Sequence, residues 1–444
     1  MWEKLRSIWN VPDLRQKILF TLALLVAFRT LAHIPVPLTP VEQQALTDFF
    51  QKSGSSGIGQ VLGLLDIFSG GSLQTFSIVA FSVYPYITAT IVMQLLQPII
   101  PTLQQLTTQG EAGRLKISQI TRIITVPLAF LQAFGQTALY QKEHILTQFD
   151  LFHPDTALSS FAILLSLTTG TMILVWLGEL ITEKGVGNGI SLIILVNILS
   201  NLPEYVQKGV LTAQTGNSSA IVSIGVISGI GIMTIVGIVY IYLGQRRVPV
   251  HYPTKRPLRQ GMTGNFAQTT YIPLQINSAG MIPLIFASSM LLFPTVIAQY
   301  LTSSQIVWLK DTAIWVTQYL TNPNGWWYWL INFALVVAFT YFYAYVLWQQ
   351  QNIAANLQKQ GAFIPGYRPG EPTNRYLTSI LNRITLAGAL FLGIITVLPF
   401  LANVGGNQML SAVSLLIAVG VVLDLVRQLR SQMVMRNYSG FLSG

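Results

Sequence analysis

Apolar runs about twenty residues long alternate with short polar stretches along the whole of this 444-residue chain. Each run is long enough to cross the ~30 Å hydrocarbon core of a bilayer as a helix. The runs fall at 17–36, 73–97, 119–140, 159–181, 188–206, 220–244, 271–300, 326–348, 378–402 and 408–428. The pattern predicts an all-α polytopic membrane protein with ten transmembrane helices and both termini on one side. Ten spans divide into halves of five, 1–206 and 207–444, within a single membrane domain. An odd number of spans per half makes the halves face opposite ways, so two inverted five-helix halves are expected. No clear internal sequence repeat accompanies them.

Two departures from plain spans stand out. Between spans 1 and 2 lies GIGQVLGLLDIFSGGSLQ, residues 57–74, whose apolar piece is too short to cross and runs into the hinge-like SGGS. Its length suits a re-entrant segment, or else a surface helix. Irregular backbone at membrane depth needs protein or a water-filled cavity around it, so the re-entrant reading implies a cavity open to the outer face. Span 2 (SVYPYITATIVMQ) and span 7 (QINSAGMIPLIFASSMLLF) each combine a proline with small or hydroxylated residues. Such helices either pack closely in the ordinary way or form a polar-lined pair that parts.

Composition agrees with a membrane protein: 52% of residues are hydrophobic and 9% charged, against roughly 25% charged in soluble domains. The 25 lysines and arginines orient the chain. Lys52, Lys142, Lys208 and Lys310 are the basic residues on one side, Arg29 lies inside span 1, and the rest fall in the terminal segments and the loops after spans 2, 4, 6 and 8, with the adjoining span ends. Excess positive charge marks the cytosolic side, which puts both termini there. The opening MWEKLRSIWNVPDLRQK is read as a retained cytosolic segment, since it lacks a small-residue cleavage site. Trp308, Trp315, Trp326, Trp327 and Trp329 fit an interfacial aromatic belt.

Two cytosolic loops, 245–270 and 349–377, exceed what a turn needs. The first carries Arg246, Arg247, Lys255, Arg256 and Arg259 without one acid, around a β-like VPVHY. Anionic lipid headgroups attract such a loop, and its length suits a phosphate-rich or acidic partner beyond them. The second contains GAFIPGYRPGEPTNRY, where prolines preset φ and glycines permit tight corners, holding Arg368 on a stiff protrusion.

Catalytic chemistry finds little to work with. There is no cysteine, and His33, His144, His153 and His251 have no ligand spacing, so no metal or other cofactor is expected. No H-E-x-x-H helix or G-x-S-x-G elbow occurs. Carboxylates are nearly absent from the spans, with Glu179 and Glu183 at the cytosolic end of span 4, which disfavours ion coupling. The chain reads as no enzyme. A secondary transporter on inverted repeats would share the ten spans but needs a polar midplane site, and an inert scaffold would leave the mobile helices unexplained.

Several stretches in order resemble the SecY family of protein-conducting channels. They are AFRTLAHIPVP in span 1, YPYITATIVMQLL in span 2, GELITEKGVGNGIS at 178–191, GQRRVPVHY after span 6, NSAGMIPLIFASS in span 7 and AFIPGYRPGEPTNRY at 362–376. The tail NYSGFLSG resembles cyanobacterial or plastid-type members. One departure is Ser82, where the family usually has glycine shortly before the span 2 proline.

The resemblance implies an hourglass channel that conducts unfolded secretory polypeptides and releases transmembrane segments sideways into lipid. It implies a pore ring of Val83, Ile87, Ile190, Ile194, Ile285 and Ile417, where an apolar constriction resists ion leakage. It makes 61–72 a plug, with Leu64, Leu65, Ile67 and Phe68 as its apolar members. Spans 2, 3, 7 and 8 become a lateral gate, with Thr88, Gln132 and Asn277 along its seam, opened by signal sequences. Arg246, Arg247, Lys255, Arg256, Arg259 and Arg368 become a docking surface for the ribosome and the SecA ATPase. The implied small membrane subunits are SecE and SecG, and the implied location is a bacterial plasma membrane or a thylakoid membrane.

Overall fold

In the computed structural model, which describes residues 11–52, 66, 69–142, 145–146, 149, 153–203, 207, 210, 218–251, 269–280, 282–301, 306–320, 325–401 and 412–442, the apolar runs fold as helices. The first part of the chain forms α1 (Pro12–Leu31), α2 (Pro40–Lys52), α3 (Tyr84–Leu96), α4 (Pro101–Thr108), α5 (Glu111–Lys142), α6 (Pro154–Lys184) and α7 (Gly189–Ser200). After α8 (Ser218–Leu243) come the strands β1 (Gln245–His251) and β2 (Thr269–Gln275). The remainder is α9 (Ile282–Leu301), α10 (Val307–Leu320), α11 (Trp326–Gln351), α12 (Ile353–Lys359), α13 (Glu371–Leu401) and α14 (Ala412–Leu442). Ten of these, α1, α3, α5 to α9, α11, α13 and α14, coincide with the ten apolar runs.

Local chemistry sets many of the boundaries. Proline stands in the first turn of α1, α3, α4 and α6, where its missing N–H costs nothing and its φ is already helical. Asn188 caps α7, its side chain accepting from the Ser191 amide at 3.2 Å. Pro98 and Pro101 break the run after α3, and the chain turns through 102° into α4. By length and hydropathy alone, four of the described helices suffice to cross a membrane, and α3 with α4 would make a fifth if unbent. α7 is shorter than a span but buries Leu192, Ile193, Ile194, Leu195 and Ile198, so most of its apolar surface is covered by protein, with Leu199 near its end exposed.

Two expected spans begin later than the apolar pattern suggests. Residues 73–83, assigned to span 2, continue the turns that begin at Gly70, and the helix starts only at Tyr84. Residues 271–275, assigned to span 7, belong to β2, whose Ile272 and Leu274 alternate with exposed Tyr271. A hydropathy window cannot tell such an apolar strand from the helix that follows it. Span 5 is also shorter than expected, since α7 ends at Ser200.

Helix neighbours repeat between the two parts of the chain. In the first, α1 packs on α7, α3 on α5, α5 on α6 and α6 on α7. In the second, α8 packs on α14, α9 on α11, α11 on α13 and α13 on α14, the same four pairings among spans 6 to 10. Between the parts the principal contacts are α7 on α14 at one place and α9 on α3 and α5 at another. The largest hydrophobic cluster lies where the parts meet and draws on α1, α6, α7, α9, α11, α13 and α14.

Candidate functional site

The six aliphatic residues expected to form a ring all lie in this central cluster. Val83, at the start of α3, Ile194 of α7 and Ile417 of α14 are buried within it. Ile87 of α3, Ile190 of α7 and Ile285 of α9 are half-buried and pack against it. Residues from both parts of the chain thus converge on one apolar plug of side chains. A cavity of about 40 Å³ remains beside it, walled by Val83, Ile87, Ile194 and Ile285 and edged by Ser69 and Ser288. Water takes up roughly 30 Å³ per molecule in the liquid, so this gap admits about one.

The turns at 69–83 form the floor of that cavity, and Asp66 organises their beginning. Its carboxylate accepts the Leu73 and Gln74 amides at 3.1 and 3.2 Å, the Ser69 hydroxyl at 3.1 Å and Gln74 Nε2 at 2.8 Å. The Gly70 carbonyl accepts from Arg29 Nη1 at 2.9 Å and from the Ser200 hydroxyl at 3.2 Å. Further on, Ser82 has φ 49°, in the left-handed region. Its buried hydroxyl accepts from Asn197 Nδ2 of α7 at 2.8 Å. Leu64, Leu65, Ile67 and Phe68, expected as apolar plug residues, lie outside the described residues.

A seam runs from the cavity between α3, α9 and α11. Ile91, Phe286 and Tyr343 fill it, with Phe286 meeting Phe339 edge-on at 5.9 Å and Tyr343 at 6.0 Å. The expected polar members sit on or beside these helices. Thr88 is half-buried and donates to the Tyr84 carbonyl at 3.1 Å, and Asn277 Nδ2 donates to Gly280 at 3.0 Å. Buried amide oxygens of Gln94, Gln132 and Asn277 meet no donor among the described residues. At one end Gln350 Nε2 of α11 donates to Gln97 Oε1 after α3 at 3.2 Å, which ties the two parts across the seam.

Beyond the helices, the two long loops form one body. β1 and β2 pair antiparallel from Gln245↔Gln275 to His251↔Thr269. His251 and Phe363 then exchange backbone hydrogen bonds of 2.9 and 3.0 Å, which attaches 361–376 to the ribbon. Val248, Val250 and Leu274 pack with Ala362, Ile364 and Leu377 beneath. Gly366 and Gly370 have φ of 87° and 102°, and Tyr367 stacks on Tyr376 at 4.0 Å. Thr373 donates to the Arg368 carbonyl at 2.7 Å, so the backbone is fixed while the guanidinium is exposed. Arg246 and Arg247 are exposed on β1, whereas Lys255, Arg256 and Arg259 lie outside the described residues.

Comparison with known proteins decides the family. A family model described as SecY matches residues 77–426. A protein translocase subunit SecY from Streptomyces galbus is 38% identical, with 98% of each chain covered. Those of Thermotoga maritima and Mycobacterium tuberculosis are 36% and 40% identical, again over at least 98% of each chain. The chain belongs to the SecY family. The fold agrees: it matches a protein-conducting channel with a TM-score of 0.64 at 17% identity, covering 95% of this chain and 93% of that one. It also matches Sec61 from the canine ribosome–channel complex with a TM-score of 0.59 at 17% identity, covering 94% and 92%.

Ser82, expected from the resemblance to depart from a glycine, has a left-handed backbone, a conformation that glycine adopts without steric cost. An L-residue held there costs roughly 1–2 kcal/mol, which the bond to Asn197 offsets. Sequence reasoning missed three contributors: Arg29, Asn197 with Ser82, and the Gln97–Gln350 bond. Two of these left a signal, Arg29 as an arginine inside an apolar span and Ser82 as a departure before the span 2 proline, while Asn197 and the Gln97–Gln350 pair left none.

Proposed function

We propose that this SecY-family chain is the central channel subunit of a protein translocase. It passes unfolded secretory polypeptides between its two five-helix halves, 1–206 and 207–444, and releases transmembrane segments sideways into lipid. The observation that carries this is the convergence of Val83, Ile87, Ile190, Ile194, Ile285 and Ile417 on one cluster where the halves meet. A small-molecule transporter needs polar groups there, whereas a channel for extended polypeptide needs a seal that yields. Aliphatic side chains exclude water at rest and part around a chain without leaving polar groups unpaired.

The remaining roles extend the same reading. Residues 61–72 are the plug. α3, α5, α9 and α11 are the gate, with Thr88, Gln132 and Asn277 along its seam. An apolar signal sequence replaces the lost packing, which shifts the population towards the open state. The ribbon and 361–376 form a stiff docking body on the cytosolic side for ribosomal RNA or the SecA motor, with exposed Arg246, Arg247 and Arg368 as contacts and Lys255, Arg256 and Arg259 adding positive charge to the same loop. Both termini lie on that side, in a bacterial plasma membrane or a thylakoid membrane with anionic lipids. SecE and SecG are the small membrane partners. The chain hydrolyses nothing itself and uses no cofactor.

Reconstitution tests this directly. With SecE in proteoliposomes, and with SecA and ATP outside, a radiolabelled precursor is expected to become protease-protected. Saturable uptake of a small solute without precursor protection would replace the channel by a transporter.

A further inference from the structure

We propose that Arg29 and Ser200 form a latch that grips the plug segment by the carbonyl of Gly70 and so holds the channel closed. The inference rests on reading 61–72 as the plug. Arg29 lies near the end of α1, within an otherwise apolar span. A guanidinium on an apolar span is costly to cover unless it is given an acceptor, and Nη1 finds one in the Gly70 carbonyl at 2.9 Å. The Ser200 hydroxyl, at the end of α7, gives its shorter bond to the Asn197 carbonyl of its own helix at 2.7 Å and is a second, weaker donor to the Gly70 oxygen at 3.2 Å. One grip thus comes from span 1 and the other from span 5.

The contrast with Asp66 identifies this carbonyl as the point of attachment. Asp66 bonds Ser69 within the segment and Leu73 and Gln74 just beyond it, all on one run of turns, so it makes the turn rigid without fixing it to the helices. At Gly70 the segment meets the body of the protein. Its φ is 71°, and a Cβ there would come within 2.9 Å of the Asn197 backbone and of the Ser200 hydroxyl. Only glycine lets the chain lie this close to α7, and that closeness is what brings its carbonyl within reach of both donors. A guanidinium donor strengthens the hold, because charge-assisted bonds are about twice as strong as neutral ones.

Release of the plug then requires the Gly70 carbonyl to leave Arg29. In planar bilayers containing the chain with SecE, Arg29→Leu is expected to raise the resting ion conductance roughly tenfold to a hundredfold, the effect of losing one charge-assisted bond. Ser200→Ala, a milder change, is expected to raise it a few-fold, and Arg29→Lys, which keeps a charged donor, to stay near the parent. Both Arg29→Leu and Ser200→Ala should still translocate a precursor.

Deletion of residues 61–68 supplies the control. It should leak by itself, and adding Arg29→Leu to it should produce no further rise. Unchanged conductance in both point variants, beside a leaking deletion, overturns the latch and leaves the plug. A further rise in the deletion background places the effect of Arg29 elsewhere and also overturns the latch. A deletion that does not leak removes the plug reading, and the latch with it.

Discussion

Truncating Ile87 and Ile285 together to alanine tests whether the aliphatic cluster is the seal. Both side chains wall the cavity of about 40 Å³ where the halves meet. A single engineered truncation of a large aliphatic opens about 150 Å³ at most in a rigid core, so two half-buried ones enlarge this gap by on the order of 100–200 Å³. That is space for about three to six further waters. The lining is almost wholly apolar, and the hydroxyls of Ser69, Ser82 and Ser288 are already bonded to Asp66, Asn197 and the Leu284 carbonyl, so water and ions enter where the widened gap joins the aqueous spaces on either side. The stability cost is about 2 kcal/mol per site, the low end for isoleucine because both are half-buried. Single-channel recording of the complex in planar bilayers is expected to show resting conductance raised tenfold or more, with precursor translocation retained. Ile87→Val with Ile285→Val should stay near the parent. Parental conductance in the alanine pair, with translocation intact, would remove these residues from the constriction.

Two further outcomes follow from the same geometry. Arg368→Glu keeps the backbone that Thr373 and the Tyr367–Tyr376 stack hold in place, yet reverses the exposed charge. It should lower SecA-dependent translocation tenfold or more while the protein still inserts, and normal transport would count against docking there. At Ser82, glycine relieves left-handed strain of about 1–2 kcal/mol and loses one hydroxyl bond of comparable worth. Alanine keeps the strain and loses the bond, so thermal unfolding in detergent should rank the glycine variant above alanine; the reverse order would refute the strain.

Much of this architecture was legible because a bilayer imposes a simple pattern. Runs of about twenty apolar residues marked all ten helices, and the prolines and glycines of IPGYRPG foretold a stiff protrusion. What escaped were features set by contact between distant segments. TYIPLQ reads as the start of span 7 until QRRVPVH is seen to pair with it. Residues 73–83 read as helix until Asn197 of α7 is seen to take Ser82 at 2.8 Å. The six ring residues were reachable only through family resemblance, since isoleucine and valine in a span are ordinary core on pattern alone. Folding brings them together from four helices whose sequence positions say nothing of their proximity.

The most direct test of the central claim uses the absence of cysteine from the chain. Single cysteines at Ile190 and Ile285, with exposed Ile394 of α13 as control, are crosslinked against a secretory precursor stalled midway. The account predicts capture at Ile190 and Ile285 and none at Ile394, which places the polypeptide between the halves. Capture at neither of the first two, with the precursor demonstrably stalled in the membrane, would contradict it.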